Sequence, residues 1–143
     1  MKKTQNYANH TNWVPTFHYY TYAGILVSLI GAIIYCFKGE NNPTLLSLIL
    51  FILILTIGSI AFHARWFALK AQDRAIRAEE SLRYFILTGK RIDQNLKMSQ
   101  FVALRFASDE EFVELVERAV KENMSSKEIK MAIKNWRGDY KRV

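Results

Sequence analysis

YTYAGILVSLIGAIIYCF (Tyr20–Phe37) and TLLSLILFILILTIGSIAF (Thr44–Phe62) are two apolar runs without a single Lys, Arg, Asp or Glu. A helix rising about 1.5 Å per residue needs about 18 or more such residues to cross ~30 Å of hydrocarbon. Between the runs stands Lys38-Gly39-Glu40-Asn41-Asn42-Pro43, six residues of turn chemistry. The arrangement predicts an all-α protein built on a two-span transmembrane hairpin, with the residues before and after it on one side of the bilayer. Four segments follow: an aromatic-rich cytoplasmic leader over 1–19, the hairpin over 20–62 with spans at about 20–37 and 44–62, a cytosolic helical neck over 63–89 that extends the second span, and a small C-terminal helical domain over 90–143.

Charge sets the orientation. The loop holds one Lys and one Glu, whereas Ala64 to Val143 hold 17 of the 20 basic and 12 of the 13 acidic residues. Arg65, Lys70, Arg74 and Arg77 follow closely on the second run, and Lys2 and Lys3 precede the first. Basic residues near span ends stay in the cytoplasm, so both termini are expected there. The first run begins only after a polar leader and no small-residue cleavage pattern precedes the loop, which argues against a cleaved signal peptide. Cys36, the one cysteine, sits inside an apolar run next to the bulky Tyr35, so it reads as apolar filler and supports neither a disulfide framework nor lipidation.

Tyr7, Trp13, Phe17, Tyr19, Tyr20 and Tyr22 crowd the approach to the first run, as in an aromatic belt at headgroup level. Pro15 is expected to delay the start of the first helix. His10, His18 and His63 raise a metal or haem site, since a hairpin brings the last two to one leaflet and imidazole suits zinc, copper or haem iron. They lack i,i+4 spacing and have no neighbouring Cys or carboxylate in the leader. The expectation is therefore no metal and no cofactor, with these three histidines as low-ranking candidates.

Within the spans, Gly24, Ser28, Gly31 and Ala32, and later Gly58, Ser59 and Ala61, are small enough for close helix approach. No ionisable group sits mid-span, so a transporter or channel loses its main support; a homo-oligomeric pore lined by Ser28, Ser47 and Thr56 ranks low.

No Gly or Pro interrupts Ser59 to Thr88, and Gly89 is a natural helix stop. Along this stretch Ala61, Ala64, Ala68, Ala71, Ala75, Ala78, Leu82 and Phe85 recur at alternating spacings of three and four, a heptad seam. Its partner is either another subunit or protein, or the chain's own C-terminal helices; the pattern does not choose.

Two capping boxes follow, Ser108 with Glu111 and Ser125 with Glu128. The first opens a helix carrying Phe112, Val113, Val116, Ala119 and Val120 on one face, and Leu96 to Ala107 reads as a shorter helix before it. The last helix is predicted from about Lys127 to Tyr140. Ile129, Ile133, Trp136 and Tyr140 would be its apolar face, and Lys127, Lys130, Lys134, Arg137 and Lys141 a basic one. Three partners fit that stripe: solvent, anionic lipid headgroups or an anionic protein, and nucleic acid. Nucleic acid ranks last, because the tail's net charge is only 17 − 12 = +5 and topology alone already explains it.

No HExxH, CxxC, P-loop, Rossmann or nucleophile-elbow motif occurs, and the carboxylates gather at helix starts, so no enzyme is expected. Gln5-Asn6-Tyr7, Asn9-His10, Ala103-Leu104-Arg105-Phe106-Ala107-Ser108-Asp109-Glu110-Glu111 and Ile129-Lys130 through Asn135-Trp136-Arg137 to Asp139-Tyr140 resemble a family of small bacterial two-span membrane proteins of unknown function. The resemblance implies a bacterial inner membrane, carries no activity or cofactor, and makes leader and tail parts of one design. The expected function is that of a non-enzymatic scaffold or accessory subunit of an inner-membrane complex. Its partners would be the bilayer and a membrane protein or a second copy. The alternative is a tether that binds anionic lipid or nucleic acid through the basic stripe.

Overall fold

The computed structural model describes residues 5–10, 14–38 and 44–140. The protein is all-helical: α1 (Tyr22–Lys38), α2 (Thr44–Thr88), α3 (Met98–Leu104), α4 (Asp109–Lys121) and α5 (Ser126–Ala132). The chain divides into two compact units, Trp13–Ala68 and a second made of Met1–Asn12 with Leu69–Val143.

The first unit is the apolar hairpin. A π-helical turn, Thr16–Thr21, leads into α1. Helix therefore starts directly after Pro15 and not at Tyr20: proline's fixed φ and missing N–H suit the first turn, so it initiates this helix instead of delaying it. Two helices, Thr16–Lys38 and Thr44–Thr88, are long and apolar enough to cross a membrane. Only 6% of the most apolar stretch of each is buried, the reverse of a soluble core helix. Ala32 and Ser47 are the buried residues of this unit among those described. A Cβ added at Gly24, Gly31 or Gly58 would meet nothing within 4 Å, so the hairpin does not use these glycines for its own close packing. The three hydroxyls considered for a pore do not line one path: Ser28 is exposed, Ser47 is buried, and Thr56 Oγ1 donates back to Ile52 O at 2.8 Å.

In the second unit α2 ends as its sequence dictates. Gly89 adopts a left-handed φ of 70° and its N–H bonds Phe85 O at 2.8 Å. The core forms where Ile76 and Tyr84 of α2 meet Phe101, Leu104, Phe106, Phe112, Val116 and Ile129. α3 opens with Gln100 Oε1 accepting from Lys97 N (2.7 Å) while its Nε2 donates to Met124 O (2.9 Å). The turn from α4 to α5 lacks glycine; Asn123 takes the left-handed position instead, at φ 47°.

Of the two capping boxes one forms as expected. Ser125 N donates to Glu128 Oε2 at 2.7 Å and Glu128 N to Ser125 Oγ at 3.3 Å. The backbone and hydroxyl bonds with Ser125 hold the Glu128 carboxyl below its ordinary range. A depressed carboxylate stabilises the fold above its unfolded pKa and loses that contribution as pH falls through its folded pKa. Helix α5 should therefore fray first in an acid titration, visible as faster amide exchange at Glu128 and Ile129. Helix propensity alone does not predict that pH dependence.

The other box does not close. Ser108 is the N-cap residue but its Oγ donates to Glu110 Oε2 (3.1 Å), and Glu111 instead accepts from Lys134 N and Asn135 N, both at 3.0 Å. This capture also ends the last helix early: α5 stops at Ala132 and Ile133 is extended, with ψ 123°. Beyond it Trp136 bridges Ala107 in antiparallel fashion, Arg137 N donates to Phe106 O (2.7 Å) and Ser108 N to Asn135 O (3.1 Å). Glu111→Gln removes the charge that serves two amides. It should cost about 1–2 kcal/mol and speed exchange at Lys134 and Asn135, while leaving α4 intact.

Candidate functional site

Helix α2 beyond Ala68 has two unlike faces. At ~100° per residue, Ile76, Glu80 and Tyr84 lie on one side and Ala71, Ala75, Ala78, Leu82 and Phe85 about 180° away. The first three are buried. The second set is exposed, with Leu82 at 59% and Phe85 at 52%, and Ile86 beside them at 71%. The seam consequently does not pack on the chain's own C-terminal helices, one of the two partners the sequence allowed. Those helices take the opposite face. The upper seam residues, Ala61, Ala64 and Ala68, lie in the hairpin unit, Ala64 exposed and the others half-buried.

The buried face is fastened by Arg83. Its guanidinium donates to Glu80 Oε2 (3.0 Å), Asp109 Oδ1 (2.6 Å) and Ala107 O (2.8 Å), and lies 4.1 Å over the Phe112 ring. Glu80 is buried and Asp109 largely exposed. The clamp ties α2 to the start of α4 and holds the seam outward.

The leader folds onto the tail, a feature with no periodic signature in the sequence. Gln5 Nε2 donates to Asp139 O (3.1 Å) and Asp139 N to Gln5 Oε1 (2.8 Å), so one side-chain amide pairs with both backbone groups of Asp139. The His10 ring packs at 5.7 Å from Phe106 and 5.8 Å from Trp136, with Nδ1 at 2.8 Å from Tyr7 O. A carbonyl only accepts, so Nδ1 carries hydrogen, and Nε2 faces Lys130 Nζ at 3.0 Å.

The three histidines are each turned to a local carbonyl. His18 Nδ1 lies 2.8 Å from Val14 O, and His63 Nδ1 2.8 Å from Ser59 O. His10 belongs to the other compact unit. Among the described residues no group of three or more His, Cys, Asp or Glu is placed to hold a metal.

The basic residues do not share one helical face. Lys127 and Lys130 stand on α5, Lys134 and Arg137 on the extended segment after it, and Lys141 lies outside the described residues. Lys127, Lys134 and Arg137 are exposed, whereas Lys130 is half-buried against His10 and Phe106. The stripe read from a continuous helix to Tyr140 is therefore broken by the stop at Ala132.

No curated protein and no solved structure matches the chain. A family model does, and it takes in the leader, the apolar hairpin and the tail together, as the docking of Gln5 and His10 on the C-terminal unit leads one to expect. It matches residues 1–143, and the chain belongs to that family, a family of unknown function (DUF6526).

Proposed function

We propose that this chain is a non-enzymatic, two-span protein of the bacterial inner membrane that serves as a scaffold or accessory subunit, engaging its partner through the outer face of α2. One observation carries the reading: Ala71, Ala75, Ala78, Leu82 and Phe85 form an uncovered row outside the apolar runs, while the other side of the same helix is sunk in the core. Exposed large apolar side chains in a continuous row mark contact surfaces more often than solvent-facing ones.

The topology has its own support. Residues on either side of the hairpin meet through Gln5 and Asp139, which supports placing both on the same side of a membrane crossed by the two helices. The basic tail supports the cytoplasm as that side. The lack of catalytic motifs supports a binding role.

Mild-detergent purification of the full chain, with mass spectrometry and the mass of the intact particle, tests the proposal. A particle of two or more protein chains is expected; a clean monomer at membrane-like concentration overturns it. Ala71→Leu with Ala75→Leu widens the seam where backbones must approach. The double variant should change or dissolve that particle yet leave the melting of the C-terminal unit within about 0.5 kcal/mol of the parent, since both positions are exposed.

A further inference from the structure

The row on α2 carries its own complement. With Ala75 and Leu82 at heptad position a and Ala71, Ala78 and Phe85 at d, Arg74 falls at g and Glu79 at e. In a parallel pair of helices in register, each g residue faces the e residue of the next heptad on its partner. Arg74 of one helix would then meet Glu79 of the other, and by two-fold symmetry the pair occurs twice. An antiparallel pair centred on the same row would set Arg74 beside Ser81 and Glu79 against Glu79, with no opposite charges facing each other. Arg74 and Glu79 are both exposed, and neither makes an ion pair among the described residues.

We infer that the occupant of this face is a second copy of the chain, lying parallel and in register along Ala71–Phe85. The inference rests on the interaction reading above and names its partner. Three features agree with it. Copies inserted into one bilayer with the same topology run parallel. Alanine at successive a and d positions lets two identical helices come close without interlocking large side chains, and Leu82, Phe85 and the flanking Ile86 supply the apolar area at the far end. The C-terminal helices occupy the opposite side of α2, so two copies meet back to back with their cores undisturbed.

The test uses the full chain in native membranes with Cys36 replaced by Ala, since that thiol is exposed. Ala71→Cys and Ala78→Cys place thiols at d, and Glu117→Cys on the exposed side of α4 is the control. Mild oxidation should give a covalent homodimer at 71 and 78 and none at 117. Arg74→Glu should slow that cross-linking by roughly threefold, the scale of an exposed ion pair, and Arg74→Glu with Glu79→Arg should restore it. Absence of the homodimer at both seam positions overturns the inference, as does a charge swap that fails to rescue. A photo-reactive residue at Leu82 separates the two readings. Adducts with a different protein, without homodimer, would leave the interaction role standing and remove the second copy. No adduct of either kind would remove both.

Discussion

Arg83→Met should be among the most damaging single substitutions outside the aromatic core. The guanidinium compensates a Glu80 carboxylate that is only 5% exposed, and it also satisfies the Ala107 carbonyl and covers the Phe112 ring. Methionine keeps much of the packing volume but removes the charge, leaving Glu80 buried without its cation. Breaking a buried pair from one side costs about 3–5 kcal/mol, chiefly the penalty of the orphaned ion. The Asp109 contact adds little, because that carboxylate is 68% exposed and screened by solvent. For a unit of this size the loss corresponds to a fall in melting temperature of more than about 10 °C. Thermal unfolding of the full chain in detergent, followed by amide exchange at Phe112 and Tyr84, checks it. Glu80→Gln in the same background should recover a large part of the loss, because the buried charge is then gone. If the double variant is no better than Arg83→Met, the damage lies in packing and the electrostatic account fails.

The same clamp shows why some of this structure was legible in the sequence and some was not. Both long helices follow from hydropathy and from the lack of Gly or Pro between Ser59 and Thr88, signals that need no knowledge of the rest of the chain. Gly89 and the Ser125–Glu128 box are equally local, and both appear where the residues place them. The failures come where a distant group outcompetes a local one. Ile129, Ile133, Trp136 and Tyr140 keep helical spacing, yet the Glu111 carboxylate takes the amides of Lys134 and Asn135 and turns the backbone out of the helix. The same diversion empties the Ser108 box, so one tertiary contact explains two misreadings. Proline presents the opposite case: the sequence around Pro15 suggests a barrier, but at a helix start its constraints favour the first turn. Of the candidate site, the seam's period was visible and its partner face was not. Only the burial of Ile76, Glu80 and Tyr84 shows which side of α2 the core claims. The resemblance joins leader and tail in one design, but the contact itself has no periodic signal, because it depends on one glutamine side chain meeting a backbone pair at Asp139 and on His10 seated against Phe106 and Trp136.

Phe106→Ala is expected to act on both ends of the chain at once. Phe106 has no exposed surface, and its ring lies 5.1 Å from Trp136, 5.7 Å from His10 and 4.7 Å from the Arg105 guanidinium carbon. Truncation should cost about 3–5 kcal/mol, the transfer term of the ring plus the cavity it leaves, a large part of the ~5–15 kcal/mol that a typical domain has in total. The cavity opens under His10, so the leader should lose its seat even under conditions where the helical core survives. Amide exchange over residues 5–10 should rise steeply, together with a lower melting temperature for the unit. Gln5→Ala offers the contrast. It deletes the two bonds to Asp139, worth about 1–2 kcal/mol of leader docking, and leaves the core aromatics in place. That variant should free residues 5–10 without shifting the main unfolding transition. If Phe106→Ala destabilises the core while the leader stays protected, then Gln5 and Asp139 hold the leader unaided and the ring cluster is not its seat. If both variants release the leader but only Phe106→Ala lowers the melting temperature, the leader is a docked peripheral element. In that case the two segments flanking the apolar hairpin are joined by contacts weaker than the core that supports them.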